Sequence, residues 1–218
     1  MRVTVDLDQR IVAELGARYG AHTIILYGSR ARGDATSQSD VDVASFADVE
    51  ETTQDTRPWE GTYLDAFVYP SAMAGADGAD DNELLKLVGG KTLRDERGLA
   101  GPLLLRLERK ALAGPPPLTE PEARLRRVWP EKMLARIERG DVEAHYRWHW
   151  LLYQILEDHF ALQGRFFPGP KRAFQMLAVE APALLAAFEA ALAPGADLAA
   201  TRRLVAMAIE AGPPPRSP

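Results

Sequence analysis

The sequence predicts an α+β chain: a small unit of strands and helices, followed by a unit made of helices alone. Two observations carry this. Short β-branched or alternating runs such as HTIILY and DVDVASF fall within the first hundred residues, whereas beyond Glu120 nothing reads as strand and the apolar residues suit helices. Between the two parts lies Gly114-Pro115-Pro116-Pro117, a stiff break. The expected domains are therefore 1–114 and 118–211, with a disordered tail over 212–218.

Taken in order, Leu7 to Tyr19 places Leu7, Ile11, Val12, Leu15 and Tyr19 at helical spacing, with Asp6 as its N-cap. His22 to Tyr27 is a nearly all-apolar buried strand that stops at Gly28. Asp40 to Phe46 alternates acidic and apolar residues and reads as a second strand. Thr62 to Tyr69 reads as a third, closed by Pro70. Ser71 to Asp81, rich in Ala, Gly and Asp, reads as a flexible loop. Asn82 to Val88 reads as a short helix ended by Gly89-Gly90, Lys91 to Arg94 as a fourth strand, and Asp95 to Gly98 as a turn. Pro102 to Ala113 is helical, with Pro102 at the tolerated first position. Further helices are expected over 120–139, 141–163, 170–192 and 197–211, the third open to division at Pro182.

Composition excludes several function classes. The chain has 218 residues and no Cys, so disulfide scaffolds, Cys-ligated zinc or iron–sulfur sites and thiol nucleophiles are ruled out. Its four His are too scattered for a zinc site. No apolar run approaches ~18 residues, so no membrane partner or span is expected. The start MRVTVDLDQR has acids where a signal peptide needs an apolar stretch, and a cytoplasmic protein is expected. The net charge of −5 is unevenly spread: Ser37 to Glu83 holds 12 acids and one base, Arg57. Such a surface repels a phosphate backbone unless cations neutralise it.

The chemistry is concentrated in Gly28-Ser29-Arg30-Ala31-Arg32-Gly33 and the following Ser39-Asp40-Val41-Asp42-Val43. A strand running into a Gly-Ser turn exposes backbone N–H groups that suit phosphate oxygens. Gly28 lets the backbone come close, Ser29 donates a hydroxyl, and Arg30 and Arg32 add positive charge. Asp40 and Asp42, two apart on a strand, point to one face about 7 Å apart. Their mutual repulsion has no stabilising purpose, and a hard cation such as Mg²⁺ supplies one. Asp65 sits mid-strand between Leu64 and Ala66 and joins the pair if the strands are neighbours. Three convergent carboxylates beside a phosphate-binding turn suit metal-assisted nucleotidyl transfer.

The segment GSRARG…SDVDV with a later strand Asp resembles the nucleotidyltransferase superfamily of DNA polymerase β, above all its minimal and antibiotic-modifying bacterial members. The family's hG[GS], DxD and third carboxylate fall on Tyr27-Gly28-Ser29, Asp40/Asp42 and Asp65, and the likeness covers about residues 8–95. It implies a small mixed-sheet core followed by an all-α helical bundle domain. It also implies that Asp40 and Asp42 hold Mg²⁺ on the phosphates of ATP or another NTP. Ser29 and the Gly28 backbone would bind the β- and γ-phosphates. Asp65 would be the general base or a ligand of a second metal.

The helical half adds weaker signals. Glu143, Tyr146, Trp150, Tyr153 and Glu157 share one helix face near His145 and His149, a mixed acidic–aromatic surface. By the resemblance, Glu143 or Glu157 is an alternative base; an ordinary amphipathic bundle helix with aromatic packing is the favoured explanation of the pattern. Lys171 and Arg172 open a helix, where positive charge opposes the macrodipole, and Lys171 is a candidate nucleotide contact. Arg139 and His145 fit a ribonuclease-toxin spacing, which so Arg-rich a chain meets by chance. The resulting expectation is a Mg²⁺-dependent enzyme moving AMP from ATP to a hydroxyl of a small molecule such as an aminoglycoside-like antibiotic. The alternatives are nucleotidylation of a protein or tRNA in a toxin–antitoxin-type system, and a nucleotide-binding module without turnover. Nucleic acid is not the favoured partner; a homodimer is compatible with the helical faces.

Overall fold

The computed structural model describes residues 6–75 and 81–210. The chain divides into two compact units, Met1–Ala113 and Gly114–Pro218. The proposed tail 212–218 and part of the proposed loop 71–81 lie outside the described residues.

In the first unit the described elements run α1 (Leu7–Tyr19), β1 (Thr23–Leu26), α2 (Gly28–Arg32), β2 (Val41–Ala47), β3 (Thr53–Trp59) and β4 (Thr62–Pro70). A 3-10 turn at Ser71–Ala74 follows, then α3 (Asp81–Leu84), a second 3-10 turn at Leu85–Leu87, β5 (Lys91–Asp95) and α4 (Ala100–Ala113). The strands form one mixed sheet in the order β3-β4-β2-β1-β5. β1 is antiparallel to β2 and β5, β4 is antiparallel to β3, and β2 and β4 are parallel. The mixed sheet followed by helices is the expected α+β arrangement.

Two differences from the sequence reading matter for the site. First, Thr53–Trp59 (TQDTRPW) is an edge strand that polarity concealed. With one neighbour and largely exposed residues it needs no apolar alternation, and an edge tolerates Pro58. Because β3 takes the edge, β4 returns between β3 and β2 and runs parallel to β2. Second, β2 begins at Val41, so Asp40 precedes the strand instead of lying in it. A smaller correction concerns α4. It starts at Ala100, where the Asp95 carboxylate accepts from the Leu99 and Ala100 N–H groups, so Pro102 is its third residue.

Each face of the sheet buries its own apolar layer. On one, Ile25, Ala44, Phe46 and Tyr69 pack against Leu84, Leu87, Leu103 and Leu107. On the other, Ile24, Leu26, Val43, Leu64 and Ala66 pack against Ile11 and Leu15 of α1. Each fully buried Leu or Ile contributes about 1.5–3 kcal/mol.

The second unit contains α5 (Glu120–Ile137), α6 (Val142–Leu162), α7 (Pro170–Glu180), α8 (Pro182–Leu192) and α9 (Leu198–Glu210). Pro182 does divide the expected third helix: Ala181 leaves helical geometry and Pro182 opens α8. Leu151, Ile155 and Phe160 of α6 pack with Met133 and Ile137 of α5, Phe188 of α8 and Leu204 of α9. Polar groups inside are satisfied: Trp148 Nε1 donates to Thr201 Oγ1 at 2.9 Å, His159 Nδ1 meets the Ala208 carbonyl at 3.1 Å, and buried Asp158 pairs with Arg126. No described helix is long and apolar enough to cross a membrane.

Candidate active site

Tyr27 follows β1 as the N-cap of α2, and its N–H donates to the Asp42 carbonyl at 3.0 Å, which sets the next residue against the acidic start of β2. Gly28 then turns with φ +71°. A Cβ built there would stand 2.2 Å from Asp42 Oδ2, so the position requires both a left-handed backbone and no side chain. Ser29, the next residue, is buried in the short helix α2. The turn and Asp42 therefore share one small volume.

Register supplies the second acid. In the parallel β2–β4 pair Asp42 is opposite Asp65, and Ala44 is opposite Phe67. Neighbouring strands lie about 4.8 Å apart, so the two carboxylates rise side by side on one face. Across the antiparallel β3–β4 pair Asp65 faces Thr56. Asp65 Oδ1 accepts from Thr56 Oγ1 at 2.8 Å and from Gln54 Nε2 at 2.9 Å. Gln54 and Thr56 are functional candidates that sequence reasoning missed, because they lie on the missed strand. Their alternation, two apart on one face, was the available signal.

Asp40 is placed by its backbone. Arg30 donates from Nε to the Asp40 carbonyl at 3.0 Å and from Nη2 to the Ser39 carbonyl at 2.6 Å. At least part of Arg30, expected at the nucleotide, is thus spent holding the acidic loop to α2. Burial pushes the Asp42 carboxyl above its ordinary range, the Asp65 and Asp40 charges push it the same way, and Arg32 and Arg30 oppose them. Asp42 is therefore a partly buried carboxyl beside two like charges that Arg32 and Arg30 offset only in part.

Whether a divalent cation fits can be judged from this chemistry. Among the described residues no group of three or more His, Asp and Glu side chains already has the arrangement of a metal site. The donor set is nonetheless of the right kind: hard carboxylate oxygens from Asp42, Asp65 and Asp40, mutually repelling, beside a cradle that a Cβ would fill. These residues fit Mg²⁺ or a similar ion completed by phosphate oxygens.

A further cation lies on the same sheet face. Lys86, a lone base in the apolar run ELLKLV, rests its Nζ 3.1 Å from the centre of the Phe67 ring. That interruption of an apolar run was its one signal in the sequence.

The expected helical-half candidates lie in the second unit. Glu143 is bound to both Arg139 and Arg147 at 2.5 Å. These pairs hold its carboxyl below the usual range, which suits a charged helix surface better than a base. Glu157 is partly buried on α6. Tyr146, His149, Trp150 and Tyr153 line a shallow concavity, with Trp150 edge-on to Trp129 at 5.2 Å. Lys171 is exposed in the first turn of α7, within the second unit.

Residues 9–87 match the family model of a nucleotidyltransferase domain. Among solved structures the chain is similar to a nucleotidyltransferase-like protein from Exiguobacterium sibiricum 255-15. The two are 16% identical with a TM-score of 0.40, and the match covers 94% of this chain and 73% of that one. No curated protein matches the chain.

Proposed function

We propose that this chain, whose residues 9–87 match the family model of a nucleotidyltransferase domain, is a transferase that moves a nucleoside monophosphate from an NTP, ATP first among them, to a hydroxyl of a small-molecule acceptor such as an aminoglycoside-like antibiotic. The observation that carries the reading is the register match of Asp42 with Asp65 beside the Gly28 turn.

Asp40, Asp42 and Asp65 are the residues suited to hold Mg²⁺. When bound, the ion neutralises phosphate charge and activates the α-phosphorus as a Lewis acid. The remaining work falls to the chain. The Gly28 backbone and the Ser29 hydroxyl receive the β- and γ-phosphates and orient the α-phosphorus. Arg30 keeps Asp40 at the turn through the Ser39 and Asp40 carbonyls. Asp65, its Oδ1 fixed by Thr56 and Gln54, directs Oδ2 to the acceptor and takes the hydroxyl proton. The acceptor oxygen bonds to the α-phosphorus, the bond to pyrophosphate breaks, and pyrophosphate leaves. The acids concentrated between Ser37 and Glu83 favour a polycationic acceptor over a phosphate polymer.

The test is incubation with Mg²⁺, each α-labelled NTP and a pooled panel of hydroxylated antibiotics, tRNA and cell lysate. Label on a small molecule, lost in Asp42→Asn, is the expected result. Label on protein or RNA moves the chain to the toxin–antitoxin-type alternative. Metal-dependent NTP binding without label favours a binding module, and absence of binding overturns the proposal.

A further inference from the structure

We infer that Lys86 binds the phosphates of the nucleoside triphosphate and of the departing pyrophosphate; this rests on the nucleotidyltransferase reading. Its Nζ lies 3.1 Å from the Phe67 ring centre, 5.6 Å from that of Tyr69 and 5.8 Å from that of Tyr27. The rings mark its place. Tyr27 immediately precedes Gly28, and Phe67 lies two residues beyond Asp65 on the same face of β4. The ammonium thus stands between the strand end that opens the phosphate turn and the strand that carries the acid.

The position is unusual for a structural lysine. A lysine that only covers apolar surface carries its ammonium out to water. Lys86 instead holds it among three rings, partly buried, and among the described residues it forms no ion pair. Asp42, Asp65 and Glu83 are close enough for their fields to act on it, yet none is its salt-bridge partner. Burial draws its pKa down and those three charges oppose the shift. A partly desolvated ammonium beside the phosphate turn, held on an aromatic face and without an ion-pair partner among the described residues, gains most from an anion brought by the substrate. Its four-carbon stem allows it to leave the Phe67 face and follow the pyrophosphate, which an arginine's planar fork does less readily. The triphosphate would be held from the turn side by Gly28 and Ser29 and from the sheet side by Lys86.

The test is calorimetric titration of the full chain with Mg²⁺ and three probes: an NTP analogue whose α,β-bridge cannot be cleaved, pyrophosphate, and the matching NMP. Wild type, Lys86→Met and Lys86→Gln are compared, with thermal unfolding as the control for folding. Either variant that folds gives the result. Expected is a loss of ten-fold or more in affinity for the analogue and for pyrophosphate, with NMP affinity within two-fold of wild type. Unchanged affinities, an equal loss across all three probes, or a change confined to the Mg²⁺ requirement overturn the phosphate role; the last would make Lys86 only a counter-ion of the carboxylates. A wild type that binds none of the probes overturns the nucleotidyltransferase reading itself, and this inference with it.

Discussion

Asp42 and Asp65 are register partners in the parallel β2–β4 pair, and Asp42 Oδ2 lies where a side chain on Gly28 would have to be. Two acids on adjacent strands repel, and burial deepens the penalty on Asp42. The pH dependence follows in sign. A carboxyl whose folded pKa is raised favours the folded state more as pH falls through that pKa, and weakens it above. Asp42→Asn removes the charge. Its melting temperature should exceed wild type by on the order of 2 °C at pH 7–8, with the gain vanishing at acid pH, as scanning calorimetry can check. Nucleotidyl transfer should fall on the order of 10³-fold or more, since several kcal/mol of charge stabilisation are lost. Loss of activity together with lower stability would show Asp42 to be structural.

Gly28→Ala tests the close approach from the other side. The residue has φ +71°, and the new Cβ would lie 2.2 Å from Asp42 Oδ2. The left-handed backbone alone costs an L-residue about 1–2 kcal/mol, and Asp42 has to move as well. Urea unfolding should register at least that loss, and transfer activity should fall further than stability accounts for. An alanine variant of full activity would show that the Asp42 rotamer is not part of the site.

How much of this was legible in the sequence depends on which physical signal each residue carries. Tyr27-Gly28-Ser29 and Asp42 announced themselves, because an apolar run ending at Gly and acids alternating with valines are local patterns. The neighbourhood of Asp42 and Asp65 was only conditional, since adjacency depends on strand order. That order in turn depends on β3, an edge strand too polar to read. With β3 went Gln54 and Thr56. Arg30 was visible as a cation, but its bonds to the Ser39 and Asp40 carbonyls were not, because they depend on the loop returning to α2. Helices α5, α6 and α9 were legible almost to their ends, whereas the partner of buried Asp158 was not, since helix periodicity does not say which charges meet across a bundle.

That partner, Arg126, supports a prediction within the helical unit. Asp158 is 3% exposed. Burial raises its pKa, and the Arg126 guanidinium and Gln154 oppose the shift. Arg126→Met strands the carboxylate, and breaking a buried pair costs about 3–5 kcal/mol. The deficit should be largest near pH 7 and shrink as pH falls, because the stranded Asp158 takes up a proton more readily in the folded state. Chemical denaturation at pH 5 and pH 7.5 distinguishes this from a pH-independent packing loss.

The last prediction separates two of the three carboxylates offered as general base, Asp65 and Glu143. Asp65 Oδ1 is fixed by Thr56 at 2.8 Å and Gln54 at 2.9 Å, which leaves its second oxygen oriented by the first. Thr56→Val keeps the shape of the side chain and removes one donor. The carboxylate gains freedom about its terminal torsion, and small misplacements of a reacting group cost up to about 10²-fold in rate. Turnover should therefore drop about ten-fold at saturating NTP while the KM for NTP stays within two-fold, because Thr56 is assigned no phosphate contact. Glu143, by contrast, is already engaged by Arg139 and Arg147 on an exposed helix face. Such surface pairs contribute little, so Glu143→Gln should leave both turnover and its pH profile unchanged. If instead Glu143→Gln abolishes transfer while Thr56→Val is silent, the proton passes to α6 and Asp65 is left with metal or structural duty.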